Sequence, residues 1–167
     1  MKILFAFFLI LNSCNFTESS SDDNVVSSQS SSSQSGFSSE NEDFAEECVA
    51  EINKYRVLEN LPALDRWEES EGCSDLSAKG DSETGKAHDN FGKCGEMAQN
   101  ECPSWKTVES VLNGCLAMMW DERKLPESAP FSERGHYLNM SSTKYTKVGC
   151  GFYKTDDGEV WAVQNFN

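Results

Sequence analysis

From Phe44 onward, apolar residues recur at helical spacing: Phe44, Cys48, Ile52 and Tyr55 mark one stripe that ends near Leu58. Asp43, followed three residues later by Glu46, reads as a capping box at its start, and Asn60-Leu61-Pro62 closes it. A second helix is predicted over 64–79, on a thinner stripe of Leu64, Trp67, Cys73 and Leu76 that Gly72 weakens. Residues 80–103 are rich in Gly, Asp, Asn and Ser and predict loops with at most a short strand. A third helix is predicted over 103–123, opened by Pro103-Ser104, with Val108, Val111, Leu112, Cys115, Met118 and Met119 on its apolar face. Glu122 falls on that same face, where a carboxylate needs a partner. A loop carrying Pro126 and Pro130 then leads through Gly135-His136, with Gly135 allowing a tight turn, into strands at 145–153 and 159–166. Asp157-Gly158 is the hairpin signal between them, and Gly149 and Gly151 predict close backbone approach or a bulge. Helices first and strands after argue for an α+β fold in which helices sandwich a small, mostly antiparallel sheet.

The chain ahead of that domain has a different pattern. Met1-Lys2 and the apolar run Ile3 to Leu11 read as a signal peptide over 1–13, too short for a permanent span. Leu11-Asn12-Ser13-Cys14 resembles the bacterial lipobox, which makes Cys14 the expected lipid attachment point. Residues 14–43 are serine-rich with few large apolar side chains and predict a disordered tether to a domain at 44–167.

Composition adds two constraints. The chain holds seven cysteines; setting Cys14 aside leaves six, an even number that behind a signal peptide implies an oxidising compartment and disulfides. Cys94 with Cys102 brackets a short polar loop and is the preferred pair, leaving Cys48–Cys73 and Cys115–Cys150. The absence of any C-x-x-C spacing argues against a zinc cluster. The net charge is −14, about −5 before residue 44 and −9 after it, so nucleic acid and anionic lipid surfaces are unlike partners. A membrane is expected to be met only through the lipid anchor, and the domain is expected to be monomeric. Asn15-Phe16-Thr17 and Asn139-Met140-Ser141 match glycosylation sequons, which matter only in a eukaryotic secretory host.

The stretch GHYLNMSSTKYTKVGCGFY, 135–153, is similar to the signature of the CAP superfamily, which includes cysteine-rich secretory and pathogenesis-related proteins. CVAEINKYR at 48–56, HDNFGKCGEM at 88–97, AMMWDERK at 117–124 and VWAVQNF at 160–166 resemble further family segments in the same order. Ser141-Ser142-Thr143, in place of the tryptophan usual in eukaryotic members, points to the bacterial branch. The resemblance implies an α-β-α sandwich with a cavity formed by His88, Glu96, Glu122 and His136. It also implies that His88 and His136 ligate zinc or another divalent cation while Glu96 and Glu122 orient ligands or hold water. In a metal-assisted hydrolase Glu96 or Glu122 would be the candidate general base. These are the only two histidines in the chain, and both fall inside matching motifs.

Other chemistries lack their motifs. There is no H-E-x-x-H, no G-x-S-x-G elbow and no glycine-rich phosphate loop. A Ser-His-Glu set drawn from Ser141, Ser142, His136 and Glu96 rests on residue types alone. Trp67, Trp105, Trp120 and Trp161 read as core or groove walls. The expected function is an extracytoplasmic binding module for a small apolar or lipid ligand or a peptide. A metal-assisted hydrolase and a structural or adhesive surface protein are the alternatives.

Overall fold

The computed structural model describes residues 38–167, and its centre is a four-stranded sheet in the order β1-β3-β4-β2. The expected signal peptide, Cys14 and the tether before residue 38 lie outside the described residues. Helix α1 spans Ser38–Leu58, so it runs through Asp43 instead of starting there. The short β1, Asp65–Arg66, leads into α2, Glu68–Thr84, and β2 spans Ala98–Trp105. A helical run follows, made of α3 (Val108–Ser110), a π-helical turn (Val111–Cys115), α4 (Leu116–Asp121) and a 3-10 turn (Glu122–Lys124). Helix α5 spans Phe131–Ser141, and the chain closes with β3, Lys147–Lys154, and β4, Val160–Phe166.

Strands β3 and β4 form the expected hairpin, antiparallel from Val148 opposite Phe166 to Lys154 opposite Val160. Strand β2 lies antiparallel on the other side of β4, and β1 adds a two-residue parallel edge to β3. The fold is therefore α+β with a mostly antiparallel sheet, as the element order implies.

Strand alternation assigns the layers. A Cβ on Gly149 would come within 2.0 Å of Ser70 Oγ, and one on Gly151 within 2.2 Å of the Ser74 backbone, so β3 presses its glycine face directly onto α2. Val148, Cys150 and Phe152 point the other way. Cys150 is disulfide-bonded to Cys48 of α1, and Phe152 meets Phe44 edge to face. Helix α2 covers one face of the sheet, while α1 covers the other together with the 108–124 run and α5. Ile52, Val111, Leu116, Met140, Val148 and Phe166 are fully buried there.

Several local expectations are corrected. The second helix starts at Glu68, and Leu76, assigned to its apolar face, is exposed. Pro103 and Ser104 belong to β2; the third helical run is opened by Thr107, whose hydroxyl accepts from the Ser110 N–H in a capping box. The π turn then rotates the downstream face. Leu116, Met119 and Trp120 enter the core, while Met118 is 63% exposed. An extra residue in one helical turn shifts the apolar stripe by a position, which a fixed three-four spacing does not anticipate. Gly135 and His136 lie within α5 instead of a loop, and the room at Gly135 is taken by the Phe131 ring, 2.9 Å from a Cβ placed there.

The disulfides also differ from all three expected pairs. They are Cys48–Cys150, Cys73–Cys94 and Cys102–Cys115. Cys94 leaves its loop toward α2, where Cys73 waits, whereas Cys102 lies on β2 facing the π turn. Pairing follows the layer each cysteine faces, which the shortest spacing, Cys94 to Cys102, does not reflect.

A pocket between two tethered histidines

Helix α5 is fixed from three sides. Arg56 of α1, fully buried, donates from Nη1 to the Met140 and Ser142 carbonyls at 2.6 and 2.9 Å. Asn100 Nδ2 donates to the His136 carbonyl at 3.0 Å, and Asn139 Nδ2 returns a bond to Asn100 Oδ1 at 2.9 Å. Tyr137 packs edge-on against Trp120 at 5.2 Å, and its hydroxyl donates to Glu59 at 2.9 Å. Burial and that carboxylate raise the Tyr137 pKa, so the phenol keeps its proton and the bond.

His136 is thereby held against Glu122, with 2.6 Å between Nδ1 and Oε1; Glu122 Oε2 also accepts from the Tyr137 N–H at 3.1 Å. The Glu122 carboxylate thus has the partner its position calls for. A carboxylate only accepts, so the imidazole donates from Nδ1, and in the neutral ring Nε2 is the free acceptor.

His88 sits in the loop between α2 and β2 with φ 64°, a left-handed conformation rare for a side-chain-bearing residue. Such a conformation costs on the order of 1 kcal/mol or more and persists where surrounding contacts dictate it. Here they do. The His88 N–H donates to Glu101 Oε2 at 2.6 Å, and ring Nδ1 lies 2.8 Å from Gln99 Oε1. Gln99 Nε2 donates to Asn165 Oδ1, whose Nδ2 donates to Ser74 Oγ, so this chain of amides aims the Gln99 oxygen at His88. His88 therefore also donates from Nδ1 and leaves Nε2 as its acceptor.

Glu101 is 3% exposed and hydrogen-bonded to the fully buried Asp81. Burial pushes the Glu101 carboxyl up to about 8, opposed by the His88 N–H and reinforced by the charge and hydrogen bond of Asp81. At neutral pH Glu101 therefore keeps its proton. Asp81 Oδ2 and Glu101 Oε1, which have no other donor, are the atoms left to share it. Asp81 Oδ1 accepts from the Asn90 N–H and side chain, at 2.9 and 2.6 Å. The two acids thus grip the 85–95 loop at residues 88 and 90, and Cys73–Cys94 ties its far end.

His88 and His136 line one cavity of about 220 Å³ with Gln99, Phe131, Gly135 and Asn139. Glu96 is not in it. Its oxygens accept from the Gly92 and Cys94 backbone at 2.5 and 2.9 Å, so it shapes the loop. Ser141 and Ser142 are also outside, bonded to local backbone at the end of α5. Asn139 is buried and engaged, which closes its sequon to glycosylation. Gln99, Asn139, Glu101 and Asp81 escaped the sequence reading. Gln99-Asn100-Glu101 is a polar run in a strand that turns out to be buried, and its polarity alone reads as solvated loop.

An adjoining cavity of about 330 Å³ shares His88, Gln99, Phe131 and Asn139 and adds Phe91, Met97 and Tyr145. The pocket is therefore a polar floor beside an apolar wall. Among the described residues, no group of three or more His, Cys, Asp or Glu lies close enough to hold a metal ion. The two imidazoles fall one protein ligand short of an ordinary catalytic zinc centre, so the residues present do not by themselves fit a resident ion. Nor is any helix among the described residues long and apolar enough to cross a membrane.

Comparison with known proteins adds three findings. The family described as "CAP: Cysteine-rich secretory protein family" matches residues 12–166. Among solved structures, venom allergen-like protein 4 of Schistosoma mansoni is similar at 15% identity and a TM-score of 0.42. That match covers 75% of this chain and 85% of that one. Curated protein sequences yield no match.

Proposed function

The chain belongs to the CAP, or cysteine-rich secretory protein, family, and from that premise we propose that it is an extracytoplasmic binding module. Three disulfides fit the oxidising surroundings in which proteins of this family typically work. The observation that carries the reading is the pair of tethered histidines. Each imidazole has its Nδ1 committed to a fixed acceptor, which leaves Nε2 as the ring's own acceptor, and both rings line one pocket that adjoins a cavity flanked by Phe91, Met97 and Phe131. A concave site with few convergent polar groups and an apolar wall is the usual form of a small-ligand site. The complementary ligand is amphipathic and brings hydrogen-bond donors, an amine, amide or hydroxyl, next to an apolar group. The acidic domain favours neutral or cationic ligands over anions.

The hydrolase alternative has less behind it. No third protein ligand joins the histidines among the described residues, and Glu96, a candidate base, is spent on backbone amides. The staple reading draws on the Glu122–His136 contact, but leaves the left-handed His88 and the two Nε2 acceptors without a purpose.

Calorimetry on the full chain tests the proposal, using short end-blocked peptides, a fatty acid, a sterol and zinc in turn, with wild type and His136→Ala. Binding of an amphipathic ligand that is lost in the variant is the expected result, with zinc alone binding more weakly than about micromolar. Tight zinc binding lost in the variant would instead restore the metal reading. Lipid attachment at Cys14 is part of the same proposal. In a bacterial host the intact mass of the membrane fraction should show a lipid adduct, and Cys14→Ser should release the protein into the soluble fraction.

A further inference from the structure

His136 also lines a second cavity, about 320 Å³, which His88 does not line but its hydrogen-bond partner Glu101 does. Its walls are Trp105, Pro103, Met118 and Met119, with the carboxyl groups of Glu122 and Glu101 on the side of the histidine. Three departures from regular backbone surround Trp105. Ser104 has φ 56°, a strained value for a residue with a side chain. The register between β2 and β4 shifts between Cys102 and Trp105. The neighbouring helix makes its π turn at Val111–Cys115, and there Gly114 lies so close under the indole that a Cβ would stand 2.7 Å from it. Together they lay the ring against the helix while leaving it partly buried next to the solvent-facing Met118. Strained residues, bulges and π turns collect at functional sites because regular structure does not supply the side-chain placement they give.

The two cavities and the apolar wall follow one strand. Ala98 and Gln99 line the near end, Pro103 and Trp105 the far end, and His136 lies between them. Eight residues of β2 span roughly 25 Å at the usual rise. That length suits an extended chain and far exceeds what one compact ring system fills. Apolar groups stand at both ends, imidazole acceptors in the middle, and the domain is acidic.

We propose that the Trp105–Met118–Met119 cavity is a second side-chain subsite of the histidine pocket, taking an aromatic side chain of an extended, neutral or basic peptide whose donors meet His136 and His88. The inference rests on the binding-module reading and narrows its ligand class to peptide. Polarizable methionines beside an indole accept aromatic rings of varied shape.

The probe is a set of end-blocked hexapeptides with a central lysine and phenylalanine or alanine at each end. Affinity for the full chain is measured in wild type, Trp105→Ala and Met118→Ser. Met118 is largely exposed, so its variant keeps the fold intact if Trp105→Ala does not. The peptide with phenylalanine at both ends should bind best, and replacing the phenylalanine at one particular end should weaken it roughly tenfold or more. Trp105→Ala and Met118→Ser should weaken the parent peptide and erase the preference at that end alone, the non-additivity of a direct contact. Peptides that bind through His88 and His136 with the same end preference in all three proteins would overturn the subsite and leave the binding module standing. Binding of the fatty acid or sterol with no peptide bound would overturn the peptide assignment. Failure of every ligand to engage either histidine would overturn both.

Discussion

Glu101 stands behind His88 and determines how firmly it is presented. Its carboxyl titrates near 8 in the folded protein against an ordinary value of 4.5, because burial and Asp81 disfavour its charge. The folded state therefore binds this proton more tightly than the unfolded state. The penalty is absent below about 4.5, grows as the unfolded chain ionises between 4.5 and 8, and is complete above that window. Glu101→Gln keeps an acceptor for the His88 N–H and supplies a permanent donor to Asp81. Urea unfolding from pH 5 to 9 should show wild-type stability falling across this window and a flatter curve for the variant. At the alkaline end the variant should be more stable by about 1–3 kcal/mol. Parallel curves would mean that Glu101 does not hold a proton in the folded state up to about 8. The sequence made His88, Glu122 and His136 legible because they fall in recognisable motifs and the chain has no other histidine. It did not reveal Glu101, since a carboxylate in a polar stretch looks solvated until the strand is seen to be buried.

At the scale of elements, the β3–β4 hairpin and α1 were readable because period and turn chemistry agree there. Gly149 and Gly151 signalled a close approach or a bulge, and the structure shows the approach, to α2, which only a missing Cβ admits. Helix α5 was hidden by Gly135, a poor helix former, and by its short length; Arg56, Asn100 and Trp120 hold it in place, a tertiary effect that no local pattern carries. Disulfide connectivity was equally out of reach. Cys48–Cys150 joins α1 to β3 across 102 positions, while Cys102–Cys115 closes 13. Opening the long link by a double Cys→Ser replacement should cost about 4–5 kcal/mol in urea unfolding, and opening the short one about 3. Equal or reversed losses would show that native packing, and not loop closure, sets the contribution of each bond.

For the whole molecule, the sheet offers its glycine face to α2 and its larger side chains to α1, and β2 is left at the edge, where α5 and the His88 loop meet. That edge is where the two separated histidine motifs, 88 and 136, line one cavity. The central claim is that this cavity binds a ligand through both imidazoles, and the chain's two histidines make the test direct. Imidazole NMR of the full chain has only two ring systems to assign. Addition of the lysine-centred, phenylalanine-ended peptide should shift both sets of ring signals together, saturably, with each neutral ring protonated at Nδ1. Two unmoved histidines in a folded protein, across the peptide, fatty acid and sterol probes, would contradict the account.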